Sequence, residues 1–200
     1  MWYKKFGVGR RRKRKVDVIV TGLIGLLLVI FFSNPLYSCL GCQKREIEIC
    51  FTPGGDCVQL VERVIGQAAH QILVQAYFFT SPRIAQALIA AHNRGVVVKM
   101  LVDRSQLDKK QVQLKKLVSS GIIVLVDKVP GIAHNKVMII DDWYVLTGSY
   151  NWTRGAEYKN AENLLLITDK NTNQVYRRNW EQRAQQARPI SMVDIGKGAR

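Results

Sequence analysis

The sequence predicts an α/β protein in which helices flank both faces of a mixed β-sheet, preceded by an N-terminal hydrophobic signal or anchor segment. From residue 45 to residue 126, short apolar runs alternate with stretches whose apolar residues recur at helical spacing. Beyond Ala133, two apolar runs follow each other with only a short polar turn between them. Near the N-terminus, a run of basic residues precedes an apolar run. The first pattern indicates parallel strands, the second an antiparallel pair, and the third a targeting segment.

The composition supports one folded domain. The chain has 200 residues, of which 48% are hydrophobic and 22% are charged. These fractions are close to the globular average, so they argue against a disordered chain and against a polytopic membrane protein. Without the targeting segment about 160 residues remain, which is enough for a single core.

The N-terminal segment has the order of an export signal. A basic n-region covers residues 1–17, a hydrophobic segment covers residues 18–32, and a linker covers residues 33–44. The hydrophobic segment has 15 residues, fewer than the roughly 20 of a membrane span, so a cleaved signal and a retained anchor both remain open. Because basic residues stay on the cytoplasmic side, we expect the remaining chain to be exported, periplasmic or secreted. If the segment is retained, residues 18–32 would anchor the chain to the inner membrane.

The positive charge is concentrated at the N-terminus. The net charge is +15, and eight of the 30 basic residues lie within Met1–Lys15. From Leu40 to Arg200 there are 22 basic and 14 acidic residues, a net charge of +8. Such a field attracts polyanions, either nucleic acid or anionic lipid headgroups. A basic surface without a polyanionic partner is the alternative.

All four cysteines follow the hydrophobic segment. Cys50 and Cys57 flank a turn-rich Phe-Thr-Pro-Gly-Gly-Asp loop, so we expect a disulfide between them, formed in an oxidising compartment. Cys39 and Cys42 have half of a zinc signature, but no second Cys/His pair lies at a suitable spacing, so we expect no metal site. A loose lipoprotein-type sequence before Cys39 leaves lipid attachment open.

The elements before Ala133 alternate in type. Four strands are expected, over Arg45–Phe51, Ile72–Phe79, Val96–Val102 and Ile122–Val126. Helices are expected between them, around Val58–Ile65, from Ser81-Pro82 to Gly95, and from Val112 to Gly121. Ser81 is a good N-cap, and Pro82 suits the first turn. This alternation indicates a largely parallel arrangement that is covered on both faces.

The elements after Ala133 complete a mixed sheet. Strands Val137–Ile140 and Tyr144–Thr147 are joined by a short Asp141-Asp142 turn, so they are expected to be antiparallel. A further strand is expected at Asn163–Thr168 and a final helix near Thr172–Ala187. The domain is expected to cover residues 45–187, with a flexible tail over residues 188–200.

His134 and Lys136 are the strongest candidates for chemistry. Both lie at the start of a strand that is otherwise built for burial, and residues two apart in an extended chain point to the same face. One face therefore holds an imidazole beside an ammonium. An imidazole can act as a nucleophile or proton carrier near neutral pH, and a fixed ammonium can hold a phosphate oxygen. Taken singly, each residue has an ordinary explanation, as a structural histidine and as a solvated lysine at a strand edge.

A second polar group follows the next strand. The run Gly148-Ser149-Tyr150-Asn151-Trp152 places Ser149 and Asn151 on one face, where both supply hydrogen-bond donors, and Gly148 allows close approach of the backbone. Glu162 follows after a loop. A carboxylate beside an imidazole can fix the tautomer of the ring and stabilise its charged form.

The combined pattern H-x-K-x-x-x-x-D, followed by G-S-x-N-W, resembles the signature of the phospholipase D superfamily. It is similar to the small, exported bacterial members that carry one such motif, which include nonspecific endonucleases and proteins named phospholipase D. The resemblance covers approximately residues 45–185. It implies a phospholipase D/nuclease-like fold and a phosphodiesterase that works through a phosphohistidine, with no metal or other cofactor.

The same resemblance implies roles for the residues of the pattern. His134 of one copy would be the nucleophile and His134 of a second copy the general acid, so the active protein would be a homodimer with a shared site. Lys136, Ser149 and Asn151 would hold the phosphate. Glu162 would support the imidazole, which makes His134, Lys136 and Glu162 the expected catalytic group.

Asp141 is implied to be architectural rather than catalytic. Nucleic acid is the first expectation for the substrate, because the domain is basic and its loops offer little apolar surface for a bilayer. The alternative is a phospholipase D that hydrolyses phosphatidylcholine-type lipids to phosphatidic acid. A non-catalytic module that binds polyanions is a third possibility, weakened by the presence of a suitable residue at each motif position.

Overall fold

The computed structural model describes residues 46–107 and 111–195. The expected n-region, hydrophobic segment and linker lie outside the described residues, as do Cys39 and Cys42. Within the two described ranges, no helix combines the length and the apolar character that are needed to cross a bilayer.

The described residues form eight strands and five α-helices. The strands are β1 (Glu46–Thr52), β2 (Gln71–Ala76), β3 (Val97–Val102), β4 (Ile123–Val126), β5 (Lys136–Ile140), β6 (Tyr144–Gly148), β7 (Glu162–Thr168) and β8 (Arg188–Pro189). The helices are α1 (Cys57–Gln67), α2 (Pro82–Asn93), α3 (Val112–Ser119), α4 (Arg154–Tyr158) and α5 (Lys170–Gln186), with a 3₁₀ turn at Arg104–Leu107.

One mixed sheet contains all eight strands, in the order β1-β7-β6-β5-β2-β3-β4-β8. The predicted mixed sheet is therefore confirmed, and β5 and β6 are antiparallel as expected. Only β2, β3 and β4 pair in parallel. The expectation of a largely parallel first half is wrong for β1, which crosses to the far edge and pairs antiparallel with β7.

Helices cover both faces of the sheet, as predicted. On one face, α1, α2 and α3 pack with the sheet around a first core that contains Val61, Leu88, Leu117 and Val74. On the other face, α5 packs through Trp180 onto a smaller second core. The indole Nε1 of Trp180 donates a hydrogen bond to the Val74 carbonyl oxygen at 2.9 Å, which satisfies the polar atom of this buried ring. The helix α5 thus covers the centre of its face.

Side chains that the sequence provides begin the helices. Ser81 caps α2, where its Oγ accepts a hydrogen bond from the Ile84 N–H at 3.4 Å, and Pro82 follows as the first helical residue, as predicted. Asp56 caps α1 by accepting from the Gln59 N–H at 3.1 Å. The first residue of α1, Cys57, forms a disulfide with Cys50 of β1. The loop between β1 and α1 is therefore closed covalently.

The packed domain extends past the expected boundary at residue 187. Strand β8 pairs antiparallel with β4 through Arg188 and Pro189, and the Ile190 N–H donates to the Val124 carbonyl at 3.0 Å. Ile190 and Ile195 are both buried. The expectation of a flexible tail therefore does not hold for residues 188–195, because two apolar side chains of this segment complete the first core.

Candidate active site

The five predicted site residues come together because of the strand order. His134 immediately precedes β5 and Lys136 begins it, Ser149 and Asn151 follow β6, and Glu162 begins β7. The start of β5, the end of β6 and the start of β7 lie side by side, since these neighbouring strands are antiparallel. All five side chains line one open cleft with a volume of about 650 Å³.

The imidazole of His134 and the ammonium of Lys136 are in contact. The Lys136 Nζ lies 3.0 Å from His134 Nδ1 and donates a hydrogen bond to the His134 carbonyl oxygen at 2.6 Å. A charged ammonium has only protons to give, so Nδ1 must act as the acceptor. A neutral ring held in this way carries its proton on Nε2. In this arrangement His134 is a proton donor through Nε2.

Lys136 is buried, and it is the one lysine or arginine that lines the cleft among the described residues. Burial lowers the pKa of the Lys136 ammonium, and the negative charge of Glu162 acts in the opposite direction. A phosphate that entered the cleft would add negative charge beside the ammonium. Substrate binding therefore favours the charged form of this side chain.

Tyr77, which immediately follows β2, supports both groups. Its ring lies 4.4 Å from the His134 ring between centroids, at an interplanar angle of 52°. The Lys136 Nζ lies 5.0 Å from the centroid of the same tyrosine ring, within the range of a cation–π interaction. Tyr77 does not line the cleft itself. It therefore acts as a lateral support for the imidazole and the ammonium.

Ser149 and Glu162 form a hydrogen-bonded pair. The Ser149 hydroxyl donates to Glu162 Oε2 at 2.6 Å and accepts from the Asn163 N–H at 3.1 Å. The Asn160 side chain donates to the second oxygen, Oε1, at 2.9 Å. Glu162 and His134 form no hydrogen bond in this arrangement, because Lys136 occupies the imidazole Nδ1; the carboxylate oxygens bind Ser149 and Asn160 instead. Asn160 was missed by the sequence reasoning, although it stands two residues before Glu162.

Asn151 has an unsatisfied polar atom at the cleft. Its Oδ1 is buried and has no hydrogen-bond partner. Such an atom costs free energy unless water or a ligand group reaches it. Asn151 Oδ1 can therefore accept a hydrogen bond from water or from a donor group of a bound molecule.

Gly148 permits the close contact between β6 and β7 that brings Ser149 beside Glu162. Its φ of +155° is one that side chains with a Cβ rarely adopt, and an added Cβ would overlap the Asn163 carbonyl oxygen and lie 2.8 Å from Asn163 Oδ1. The expectation that a glycine here allows close approach of the backbone agrees with this geometry.

Asp141 lies at the other end of β5, away from the cleft. Its carboxylate accepts hydrogen bonds from three consecutive backbone N–H groups, those of Ala69, His70 and Gln71, at 2.9, 2.8 and 2.9 Å. Burial raises the pKa of Asp141, but these hydrogen bonds outweigh it and hold the pKa below the ordinary value of 3.8. The carboxylate ties the turn after β5 to the segment that leads into β2.

Acidic and metal-ligating side chains are dispersed in the described part of the chain. No group of three or more His, Cys, Asp or Glu side chains there is arranged to hold a metal ion. His70 is exposed and lies next to Asp141, at the far end of β5 from His134.

A family model described as "Cardiolipin synthase, PLD-like domain" matches residues 61–184. Among curated proteins, the chain is 35% identical over 191 residues to a phospholipase D of Rickettsia conorii, covering 86% of this chain and 96% of that protein. It is 44% identical over 144 residues to a phospholipase D of Rickettsia typhi, covering 72% of this chain and 71% of that protein.

A solved structure is similar to the described fold. The phospholipase D family member Nuc from Salmonella typhimurium matches with a TM-score of 0.70 and 34% identity, covering 74% of this chain and 99% of that chain. The family match and the 35% identical relative each span most of the chain. The matched residues include His134, Lys136, Ser149 and Asn151. The chain therefore belongs to the phospholipase D superfamily.

Proposed function

We propose that this protein is a phosphodiesterase that cleaves nucleic acid through a covalent phosphohistidine and needs no metal ion. The observation that carries the proposal is the convergence of an imidazole, a buried ammonium and two short hydrogen-bonding side chains in one open cleft. These groups supply a nucleophile and a positive charge, while the Asn151 amide N–H and the Ser149 hydroxyl, once it turns away from Glu162, supply donors for phosphoryl oxygens.

In the first step, Nε2 of one His134 attacks the phosphorus, an N–P bond forms, and the bond from phosphorus to the leaving oxygen breaks. The resting ring carries its proton on Nε2, so this proton must leave before attack. When the Lys136 ammonium turns from Nδ1 to a phosphate oxygen, Nδ1 is free to hold the proton instead. Glu162 in the same cleft is the carboxylate that can accept a hydrogen bond from that Nδ1–H.

A second His134 completes the reaction. Two imidazoles that face one phosphate repel each other when both are charged, so one is neutral and the other cationic. The cationic ring donates its Nε2 proton to the leaving oxygen, a contribution of about 10²–10⁴-fold in rate. Water then attacks the phosphorus, the N–P bond breaks, and the second ring takes the proton of the water. The nucleophilic ring is restored.

The second imidazole comes from another copy of the chain in this proposal, because the described residues contain one motif. A two-fold axis at the cleft is the simplest symmetric arrangement that brings two His134 rings together. The sheet also has an exposed apolar surface that suits contact between two chains. Ile47, Ile49 and Phe51 are exposed on β1. Register places Ile49 in one row with Leu165, Thr147 and Val137, so this apolar stripe lies on the face of the second core, where it can contact another chain.

Two observations support nucleic acid as the substrate. The cleft is open and most of its lining residues are polar, which suits a long polyanion better than an acyl chain. The net charge of +8 from Leu40 to Arg200 supplies attraction to phosphates that does not depend on base sequence. We therefore expect the affinity to fall steeply with salt.

Phospholipid hydrolysis is the second candidate. The Rickettsia relatives are named phospholipase D. In this chain Ile132, two residues before His134, is 57% exposed, so one apolar side chain stands near the catalytic group where a bilayer surface would approach. This alternative keeps the same catalytic groups and changes only the molecule that carries the phosphate.

We further propose that the domain works outside the cytoplasm, following an export signal or a retained anchor over residues 18–32. The Cys50–Cys57 disulfide supports this location, because structural disulfides form and persist in oxidising compartments. Whether the segment is cleaved in cells is tested by mass measurement of the mature protein.

Plasmid cleavage in EDTA tests the activity. The purified full-length chain is expected to cut plasmid DNA in the presence of the chelator, and His134→Ala is expected to abolish cutting. His70→Ala is the matched control, because this histidine is exposed at the far end of β5 and should leave the rate unchanged. DNA cleavage by His134→Ala would contradict the proposed mechanism. So would a wild-type chain that cleaves DNA without EDTA but not in its presence. If the same preparation releases choline from phosphatidylcholine and does not cleave DNA, the substrate is phospholipid and not nucleic acid.

Mixed dimers test the shared site. When wild-type and His134→Ala chains are co-expressed in equal amounts and assort at random, about a quarter of the dimers contain two His134 rings. A shared site therefore predicts about a quarter of the wild-type specific activity, whereas independent sites predict about a half. Linear dependence of activity on the wild-type fraction would rule out the shared site.

A further inference from the structure

Tyr150 lies between two residues that line the cleft, but its own side chain is buried in the first core. Its exposed fraction is 1%, and its hydroxyl donates a hydrogen bond of 2.6 Å to Glu157 Oε2. Burial raises the pKa of Tyr150, and the hydrogen bond to Glu157 acts in the same direction. The hydroxyl therefore keeps its proton near neutral pH and donates it to Glu157.

Glu157 connects Tyr150 to a different part of the fold. It lies on α4 and is 5% exposed, and the same oxygen that accepts from Tyr150 also accepts from the Val58 N–H at 3.0 Å. Val58 is in the first turn of α1, where the helix dipole favours a negative charge. One buried carboxylate oxygen thus joins the segment after β6 to the N-terminus of α1, which the Cys50–Cys57 disulfide ties to β1.

A second buried side chain, Thr52, holds the middle of α4 and a residue that follows its C-terminus. The Thr52 hydroxyl donates to the Ala156 carbonyl at 2.7 Å and lies 3.1 Å from the Asn160 carbonyl oxygen. The Asn160 side chain donates to Glu162 in the cleft. Buried side chains that do not enter the cleft therefore hold both ends of the segment between Asn151 and Glu162, Tyr150 at its start and Thr52 near its end.

We infer that Tyr150 and Glu157 are positioning residues, which fix the backbone of Ser149 and Asn151 so that their side chains hold a phosphate in the cleft. Adjacent residues of an extended chain point to opposite faces, so anchoring the Tyr150 side chain on one face fixes its two neighbours on the other. The Tyr150 N–H also donates to the Asn163 carbonyl at 3.2 Å, which holds the same point of the chain against β7. The inference rests on the proposed function, because that function gives these groups a phosphate to bind.

Tyr150→Phe is the direct test, since it removes one hydroxyl and keeps the ring. Tyr144→Phe is the matched control, because it makes the same chemical change at the opposite end of β6, away from the cleft. The affinity of the full-length chain for inorganic phosphate, measured by calorimetry, is expected to fall about fivefold in Tyr150→Phe, the equivalent of one hydrogen bond, and to stay unchanged in Tyr144→Phe. Hydrogen exchange of a peptide covering residues 148–153 is expected to accelerate only in Tyr150→Phe.

A double-mutant cycle separates positioning from general stability. If Tyr150 acts through Ser149, the fivefold effect of Tyr150→Phe should shrink in a Ser149→Ala background, whereas independent effects multiply. Glu157→Gln keeps an oxygen that can accept from both Tyr150 and Val58, so it should retain more phosphate affinity than Glu157→Ala. A purely structural role would lower the melting temperature of the variants and leave the phosphate affinity of the folded fraction unchanged.

The two proposals fail in different ways. If the wild-type chain cleaves DNA and Tyr150→Phe matches Tyr144→Phe in phosphate affinity and in exchange of residues 148–153, the positioning role is wrong. If the wild-type chain cleaves no phosphodiester, but exchange of residues 148–153 accelerates and phosphate affinity falls only in Tyr150→Phe, positioning stands and the proposed function is wrong. Additive free energies in the cycle with Ser149→Ala would also overturn the inference.

Discussion

Replacing Asp141 is expected to damage stability and to spare catalysis. Although this aspartate belongs to the sequence pattern of the site, its carboxylate accepts three backbone N–H groups at the opposite end of β5. Asp141 also adopts a φ of +49°, a left-handed conformation that aspartate and asparagine tolerate better than most residues. Asp141→Asn keeps this tolerance and one acceptor oxygen, whereas Asp141→Ala loses both.

The hydrogen bonds set the magnitude. A hydrogen bond to a charged group contributes about 1.5–3 kcal/mol when buried, and two of these three are exposed to water, so we expect about 2–4 kcal/mol for the three together. Asp141→Asn should lose about half of that free energy of unfolding. Asp141→Ala should lose all of it and about 1 kcal/mol more, because alanine is strained in the left-handed conformation.

The pH dependence gives a second measure. The folded-state pKa of Asp141 lies below its ordinary value of 3.8, so the stabilisation by its charge is complete above that value and is lost as the pH falls through the folded-state pKa. The difference in unfolding free energy between wild type and Asp141→Asn should therefore be constant near neutral pH and should become smaller as the pH falls into the acid range.

Urea unfolding followed by tryptophan fluorescence measures these differences, and plasmid cleavage per folded molecule measures catalysis. We expect the rate of the folded Asp141→Asn chain to be within about twofold of wild type, because the carboxylate is remote from the cleft. An Asp141→Asn chain with unchanged stability and a large loss of rate would refute the architectural role.

Three other changes have defined outcomes. Gly148→Ala should cost at least about 2 kcal/mol in urea unfolding, since its Cβ would overlap backbone, whereas Gly155→Ala, whose Cβ would meet only one side-chain atom at 3.8 Å, should be nearly neutral. Nitrogen-15 NMR should find the neutral His134 ring protonated on Nε2, and Lys136→Met should weaken the preference for this tautomer. A ring protonated on Nδ1 in the free wild-type protein would contradict the contact with Lys136. Tyr77→Phe should keep the cleavage rate, whereas Tyr77→Ala should lower kcat by about tenfold, because the ring and not the hydroxyl supports His134 and Lys136. Equal cleavage rates in the two variants would argue against this support.

Local patterns in the sequence predicted most of the elements and the members of the site. Period-two and helical spacings are properties of neighbouring residues, so they identified β1 to β7, the three helices on the first face and α5, and Ser81-Pro82 marked the start of α2. The position of β1 was not predictable in this way. Its partner is β7, and nothing in residues 46–52 identifies a partner so far along the chain. The helix α4 and the strand β8 were missed because elements of five and two residues have no measurable periodicity.

The hydrogen bonds within the site needed coordinates. The sequence placed Glu162 near His134, but it could not rank Ser149 and Asn160 ahead of the imidazole as partners of the carboxylate. Tyr150 and Glu157 were missed for the opposite reason, since they act from the buried side of the site. The sequence did contain a clue to Tyr150. Side chains alternate in direction along an extended segment, so if Ser149 and Asn151 point into the cleft, Tyr150 must point into the core.

The far-edge position of β1 determines the order in which this domain can be assembled. Glu46 pairs with Thr168, so the strand that is synthesised first has no partner until nearly the whole domain has left the ribosome. During that interval three apolar side chains of β1 stand beside unpaired backbone, which is a risk for pairing between nascent chains. Once the chain has reached an oxidising compartment, Cys50 and Cys57, seven positions apart, can join before β7 pairs with β1. Closing this small loop early keeps β1 next to the helix on which it will finally rest.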